Sequence, residues 1–103
     1  MTFGTYRLRP QAEADLDAHA RYIAENELDA ALRLYDRTQV TLQMLADMPA
    51  MGTLYQTERA ELLGIRFAPI KDYPRYLVFY RPEDGFIDVI RILHARVDKD
   101  RWL

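Results

Sequence analysis

The stretch YLVFYRPEDGFIDVIRILH, residues 76–94, constrains the fold more than any other part of the chain. Two apolar runs rich in β-branched and aromatic residues flank Pro82-Glu83-Asp84-Gly85. An Asp-Gly pair between such runs is a strong hairpin signal, because these residues take the backbone angles of a tight turn at little cost. Strand side chains alternate, so Tyr76, Val78 and Tyr80 are expected on one face and Leu77, Phe79 and Arg81 on the other. In the second run, Phe86, Asp88, Ile90 and Ile92 are expected to oppose Ile87, Val89, Arg91 and Leu93. Both faces are largely apolar, which places the hairpin inside a sheet rather than at its rim.

The first half of the chain supplies a cover. Thr5 to Arg9 reads as a short strand that Pro10 terminates. Proline suits the first turn of a helix, and the pattern continues to about Asn26, with Ala12, Leu16, Ala20 and Ile23 on one stripe and Glu13, Asp15 and Asp17 early, where the helix dipole favours acids. A second helix is expected from about Leu28 to Met48, burying Ala31, Tyr35, Thr38, Leu42 and Leu45. The short connection makes the pair an antiparallel helical hairpin. Pro49 and Gly52 end it. Residues 50–64 show no clean period and read as an ordered loop with a turn of helix around Glu58 to Leu63. Ile65 to Pro69 reads as a strand, and Lys71-Asp72-Tyr73-Pro74 turns the chain into the central hairpin. The tail from Ala95 to Leu103 is polar apart from Val97, Trp102 and Leu103 and is either a frayed turn or a short docking helix.

The expected class is therefore α+β: an N-terminal strand, an α-helical hairpin, then a three-stranded antiparallel sheet and a short C-terminal tail or helix. The helix pair covers one face of the sheet. The other is expected to be less covered, with Arg66, Arg81 and Arg91 making part of it a charged, concave surface. At 103 residues the chain is expected to form one domain, residues 1–103, burying roughly 65% of its unfolded surface.

Composition excludes some chemistry. The chain has no cysteine, which removes disulfides, thiolate catalysis and cysteine-type zinc sites together. No apolar run approaches membrane-spanning length and no hydrophobic signal segment opens the chain, so a cytoplasmic protein without a membrane partner is the default. Residues 1–63 carry six basic and ten acidic side chains, residues 64–103 eight and six. An electropositive sheet half suits an acidic partner or phosphate, but a net charge of −2 argues against sequence-specific nucleic-acid binding by the chain alone. Asp15, His19 and Glu25 resemble a metal pair only superficially. Neither a metal nor a cofactor is expected.

The pattern Tyr6-x-Leu8-x-Pro10-x-Ala12-x-x-Asp15-Leu16, Tyr22-Ile23, Leu45-x-x-x-Pro49-x-x-Gly52, Arg66, Tyr73, Leu77-Val78-Phe79-Tyr80-Arg81 and Val89-Ile90-Arg91-Ile92-Leu93-His94-x-Arg96-x-Asp98 resembles the ParE branch of the ParE/RelE toxins of bacterial type II toxin-antitoxin systems. The match covers nearly the whole chain and rests on order and spacing, since each piece by itself is core plus turn. The resemblance implies the fold read above and a non-catalytic toxin neutralised by a cognate ParD-like antitoxin. It also implies DNA gyrase as the target of the ParE branch. RelE-like members instead cut messenger RNA in the ribosome, and an inactive relative is the third alternative.

RNA cleavage needs a base for the 2′-hydroxyl, cations for the phosphorane and an acid for the leaving oxygen. Arg66, Lys71, Arg91 and His94 are the available groups, with His94, Arg91 and Arg66 the set for a nuclease. The RelE branch usually adds further lysines and a C-terminal tyrosine, and no tyrosine follows Tyr80. His94 otherwise bonds backbone or caps the strand end. For target binding the resemblance and composition favour Arg96, Asp98, Arg101 and Trp102, an aromatic beside arginines being a common interface anchor. The alternative for Trp102 is burial against the helix pair. For the antitoxin, the expected contacts are Ala31, Leu34 and Tyr35 on the helix hairpin and Tyr80, Arg81 and Arg91 on the sheet flank. The two arginines either hold an antitoxin carboxylate or pair with Asp88 or Glu83 across the hairpin.

Overall fold

A computed structural model describes residues 4–103; residues 1–3 of the expected domain lie outside the described residues. Strand β1 (Thr5–Leu8) leads into helix α1 (Pro10–Ala24) and helix α2 (Leu28–Asp47). Strands β2 (Thr53–Leu54), β3 (Arg66–Ile70), β4 (Tyr73–Glu83) and β5 (Phe86–His94) follow, and the four-residue helix α3 (Lys99–Trp102) closes the chain. The class and element order match the expectation, but the sheet has five strands in the order β1-β5-β4-β3-β2. β1 joins one edge parallel to β5, and β2 joins the other edge antiparallel to β3. A two-residue strand has no room to display a period, which is why β2 was hidden in the expected loop.

Proline at the first position of α1 and an acid, Glu13, in its first turn start the helix as read. α1 buries Ala12, Leu16 and Ala20. α2 buries Ala30, Ala31, Leu34, Thr38, Thr41, Leu42, Leu45 and Ala46, and Met48-Pro49 ends it. Tyr35 is a correction: it lies exposed beside the stripe, its hydroxyl donating to Asp17 Oδ1 at 2.7 Å, while Leu34 is fully buried. A phenol with a solvent-side carboxylate for a partner gains less from burial than an aliphatic neighbour does.

The two hairpin turns are two residues each. Gly85 takes φ 83° before β5, and Asp72 takes φ 68° between β3 and β4. Arg37 of α2 donates to the Asp72 carboxylate at 2.7 Å, and the Lys71 amide donates to Thr41 Oγ1 at 2.9 Å. Both bonds fix that turn to the helix above it.

β4 alternates as expected, with Val78 and Tyr80 in the helix-side core and Phe79 in a second cluster. β5 does not. Phe79 pairs with Arg91 but Tyr80 pairs with Val89, so Ile90 is an extra, bulged residue. The bulge resets the phase: Ile92 joins Ile87 and Val89 in the helix-side core, while Ile90 packs on the second cluster.

The sheet's second face is not the open, charged surface expected. Leu62, Ile65, Phe79 and Leu93 form a separate small core there, flanked by Tyr55, Phe67, Leu77, Ile90, Val97 and Leu103. Phe67 stacks on Phe79, and Tyr55 meets both rings edge-on. The irregular segment 55–65 and the C-terminal tail close this face, which neither helix reaches.

Candidate functional site

Arg66, Arg91 and His94, singled out for chemistry, are held apart and each is bonded to the fold, while Lys71 lines the groove beside α2. Arg66 donates to the Gly52 carbonyl at 2.7 Å. It braces the turn where Tyr80 is also engaged: the Tyr80 hydroxyl donates to the Pro49 carbonyl at 2.7 Å and accepts from the Gly52 amide at 3.0 Å. A methyl group on Gly52 would sit 2.3 Å from that hydroxyl, so the position admits no side chain. Burial pushes the Tyr80 phenol above its ordinary pKa.

Arg66 pairs with Tyr80 on β4, whereas His94 pairs with Tyr76. The two candidate groups are therefore four residues, or about 13 Å, apart along the strand direction and on strands that flank β4 on opposite sides. His94 accepts a hydrogen bond at Nδ1 from the Arg96 amide at 3.1 Å and meets the Tyr76 ring edge-on. Burial, then the positive charges of Arg96, Arg75 and Lys99, lower its pKa. This is the strand-end role that the sequence allowed for a histidine.

Arg91 makes the most buried ion pair. Its Nε and Nη2 donate to the two oxygens of Asp15 at 2.7 and 2.8 Å, and the side chains are only 14% and 10% exposed. Asp15 also accepts from the Ile92 amide at 3.1 Å, and His19, one turn along α1, bonds through Nε2 to the Ile92 carbonyl at 2.8 Å. Because a carbonyl only accepts, that nitrogen carries the proton. β1 ends opposite Val89, and α1 thus satisfies the backbone that the missing strand would have paired.

Neither hairpin arginine pairs across the hairpin. Arg81 donates to the carbonyls of Leu63 and Glu61 at 2.8 and 2.9 Å, tying down the loop of the second face. Asp88 is taken by Arg7 at 3.1 Å and Arg9 at 2.7 Å from the first strand and the residue after it. Asp88 is 3% exposed, and the hydrogen bond from Arg9 holds its pKa below the ordinary value.

Of the residues expected at an antitoxin contact, Ala31, Leu34 and Tyr80 are buried core, so they present no surface. Tyr35 is exposed, and the same helix carries exposed Leu28 and Leu32 at helical spacing before it. Along its other half, α2 borders a groove of about 290 Å³ whose walls include Met44, Leu45, Met51, Phe67 and Pro69. Periodicity missed this groove because it is built between a helix flank and a sheet edge. Met44 and Met51 lie outside the buried stripe, and unburied methionines were the available signal.

Of the expected target contacts, Arg96, Asp98, Arg101 and Trp102 are all exposed. Two cations approach Trp102, the guanidiniums of Arg91 and Arg101 standing 5.6 and 6.0 Å from its ring centre. α3 is tied to the second face through Asp100: its carboxylate accepts from the Tyr55 hydroxyl and its carbonyl from Arg59. Burial and that carboxylate push the Tyr55 phenol up to about 12. Among the described residues, no cluster of three or more histidines and acids comes together to hold a metal ion, and no helix is long and apolar enough to cross a membrane.

The family described as ParE toxin of type II toxin-antitoxin system, parDE, matches residues 6–99. Toxin RelE2 of Caulobacter vibrioides is 32% identical over 85 residues, covering 82% of this chain and 88% of the relative. Among solved structures, the chromosomal ParDE system from P. aeruginosa matches with a TM-score of 0.72 at 18% identity, covering 91% of this chain and 98% of the other. The toxin-antitoxin complex RelBE2 from Mycobacterium tuberculosis matches with a TM-score of 0.64 at 22% identity, covering 92% and 95%. At those identities the two structures speak for the fold. The match over residues 6–99 carries the identity: this chain is a toxin of a type II toxin-antitoxin system and belongs to the ParE toxin family.

Proposed function

We propose that the chain acts without catalysis: it binds a topoisomerase, DNA gyrase, through its C-terminal residues and is neutralised by a cognate ParD-like antitoxin. The observation that carries this reading is the dispersal of Arg66, Arg91 and His94. Each is committed to a structural partner, and no reacting atom could touch all three. A nuclease of this kind needs its acid, base and cations converging on one phosphate. What stands free instead is a contact surface at the end of the chain, Arg96, Asp98, Arg101 and Trp102. Induction without the antitoxin tests the reading. Gyrase poisoning yields cleaved DNA and a DNA-damage response while messages stay whole; intact DNA with cut messages would overturn it. The nuclease is the second reading, favoured by the 32% identity to a toxin named RelE2.

The antitoxin lies against α2, from the exposed Leu28, Leu32 and Tyr35 into the groove beside Met44 and Met51. β2 pairs with β3 only at Arg66 and Phe67, so the β3 edge beyond Phe67 borders this groove and is open to an extended segment. A charge at the groove wall, Met44→Asp, is expected to weaken capture of the antitoxin encoded in the neighbouring reading frame by about thirtyfold or more, the size of a central contact. Unchanged capture would move the antitoxin to another face.

A further inference from the structure

The contact surface proposed above sits on a four-residue helix at the end of the chain, too short to hold its own shape. Trp102 nevertheless has a defined pose. Arg91 donates through Nη1 to the Trp102 carbonyl at 2.8 Å and presents its guanidinium to the indole at 5.6 Å. Its remaining donors, Nε and Nη2, are locked by both oxygens of Asp15. One guanidinium thus joins helix α1 to the last turn of the chain, and the Asp15 side chain itself is only 10% exposed.

We propose that Asp15 is a positioning residue for target binding: acting through the forked Arg91 guanidinium, it holds Trp102 in the pose that meets the target. The inference rests on the reading that the C-terminal residues contact the target. Without the carboxylate, Arg91 keeps its charge but loses the two bonds that orient it, and the carbonyl and ring it supports lose their fixed partner. Trp102 must then be ordered at the moment of binding, and that cost is taken from affinity.

Trp102 is the only tryptophan, so its fluorescence reports on this pose alone. In Asp15→Asn, which keeps an oxygen for the Ile92 amide, acrylamide quenching of Trp102 is expected to rise toward that of the unfolded chain and its anisotropy to fall. The concentration that half-inhibits purified gyrase is expected to rise about two- to tenfold, equivalent to ordering one side chain. Arg91→Lys keeps the cation and loses the fork, and is expected to give the same two changes should Asp15→Asn fail to fold. A double-mutant cycle separates positioning from general destabilisation: in a Trp102→Ala background, Asp15→Asn is expected to add nothing further to the loss of inhibition. Quenching that stays at the wild-type level in both variants overturns the proposal, as does an additive cycle. Raised quenching with inhibition unaffected in Asp15→Asn, while Trp102→Ala abolishes it, overturns the inference and leaves the contact reading standing. Inhibition unaffected in Trp102→Ala itself overturns the contact reading and the inference with it.

Discussion

The two faces of the sheet are closed by different physics. On one, helices of 15 and 20 residues lay apolar stripes over Val78, Ile87, Val89 and Ile92, and shape and hydrophobicity suffice. On the other, no element of comparable length is present among the described residues, and the cover is the irregular segment 55–65 and the tail. Side chains bonded to carbonyls and carboxylates hold that cover down: Arg81 on Leu63 and Glu61, Arg59 and Tyr55 on Asp100, Arg91 on Trp102. The contrast sets a tightly packed helix face against a second face held by individual polar bonds, and the target contact proposed above lies on the tail that covers the second. A surface meant to meet a partner is drawn from segments that polar bonds hold, because these are the segments that open at least cost.

The largest expected difference is in core truncation. Leu34 of α2 is fully buried in the helix-side core, and Leu34→Ala is expected to cost about 3–5 kcal/mol, the transfer term plus a cavity that rigid helices cannot collapse. Leu93 is also buried, at 5% exposure in the second cluster, but its cover is irregular chain able to settle inward, so Leu93→Ala is expected at about 2–3 kcal/mol. Urea denaturation of the two variants checks this. Equal losses would break the comparison, since they would mean the tail and loop pack as stiffly as the helices.

How far the sequence disclosed this division follows from the same physics. The helix face was legible because Ala12, Leu16 and Ala20, or Thr38, Leu42 and Leu45, repeat at a period that only a helix satisfies. It misled at one turn, where Tyr35 and Leu34 are adjacent and the larger residue took the expected core position. The hairpin was legible from its turn, but the bulge at Ile90 was not, because an inserted residue leaves an apolar run looking unbroken. The second face was illegible for a plainer reason: its bonds join residues far apart in sequence, such as Arg59 with Asp100 and Arg81 with Glu61, and go largely to backbone atoms that every residue carries. The arginines of the sheet were visible as residue types. Their partners could not be read, and the partners decide that Arg66, Arg81 and Arg91 are braces.

Asp88 sharpens the comparison at intermediate scale. It lies on the second face, opposite Ile87 and Val89, buried under two arginines rather than under apolar chain. Asp88→Asn is expected to cost roughly 1.5–3 kcal/mol, the range for hydrogen bonds to a charged group. The linkage has a definite sign. The folded pKa lies below the ordinary value of 3.8, so the contribution is complete above 3.8 and is lost as pH falls through the lower folded value. The wild-type and Asp88→Asn stability curves should therefore converge on acidification below that point. A constant gap would mean that the carboxylate's packing matters and its charge does not.

The smallest expected effect is at His94, where the helix face ends beside Tyr76 and His19. Burial and neighbouring cations lower its pKa from 6.5, so its stabilising contribution is present above 6.5 and fades as pH falls through the lower folded value, where the ring gains a proton. Protonation would also convert Nδ1 from acceptor to donor and break its bond from the Arg96 amide. NMR titration of the His94 ring is expected to give a midpoint below 6.5. The same measurement bears on function, because a general acid is useful when it still holds its proton near the working pH. A ring already neutral there, with one nitrogen occupied by a backbone amide, suits a strand end. A midpoint above 6.5 would mean that a negative charge approaches this ring, and would return His94 to the catalytic side of the argument.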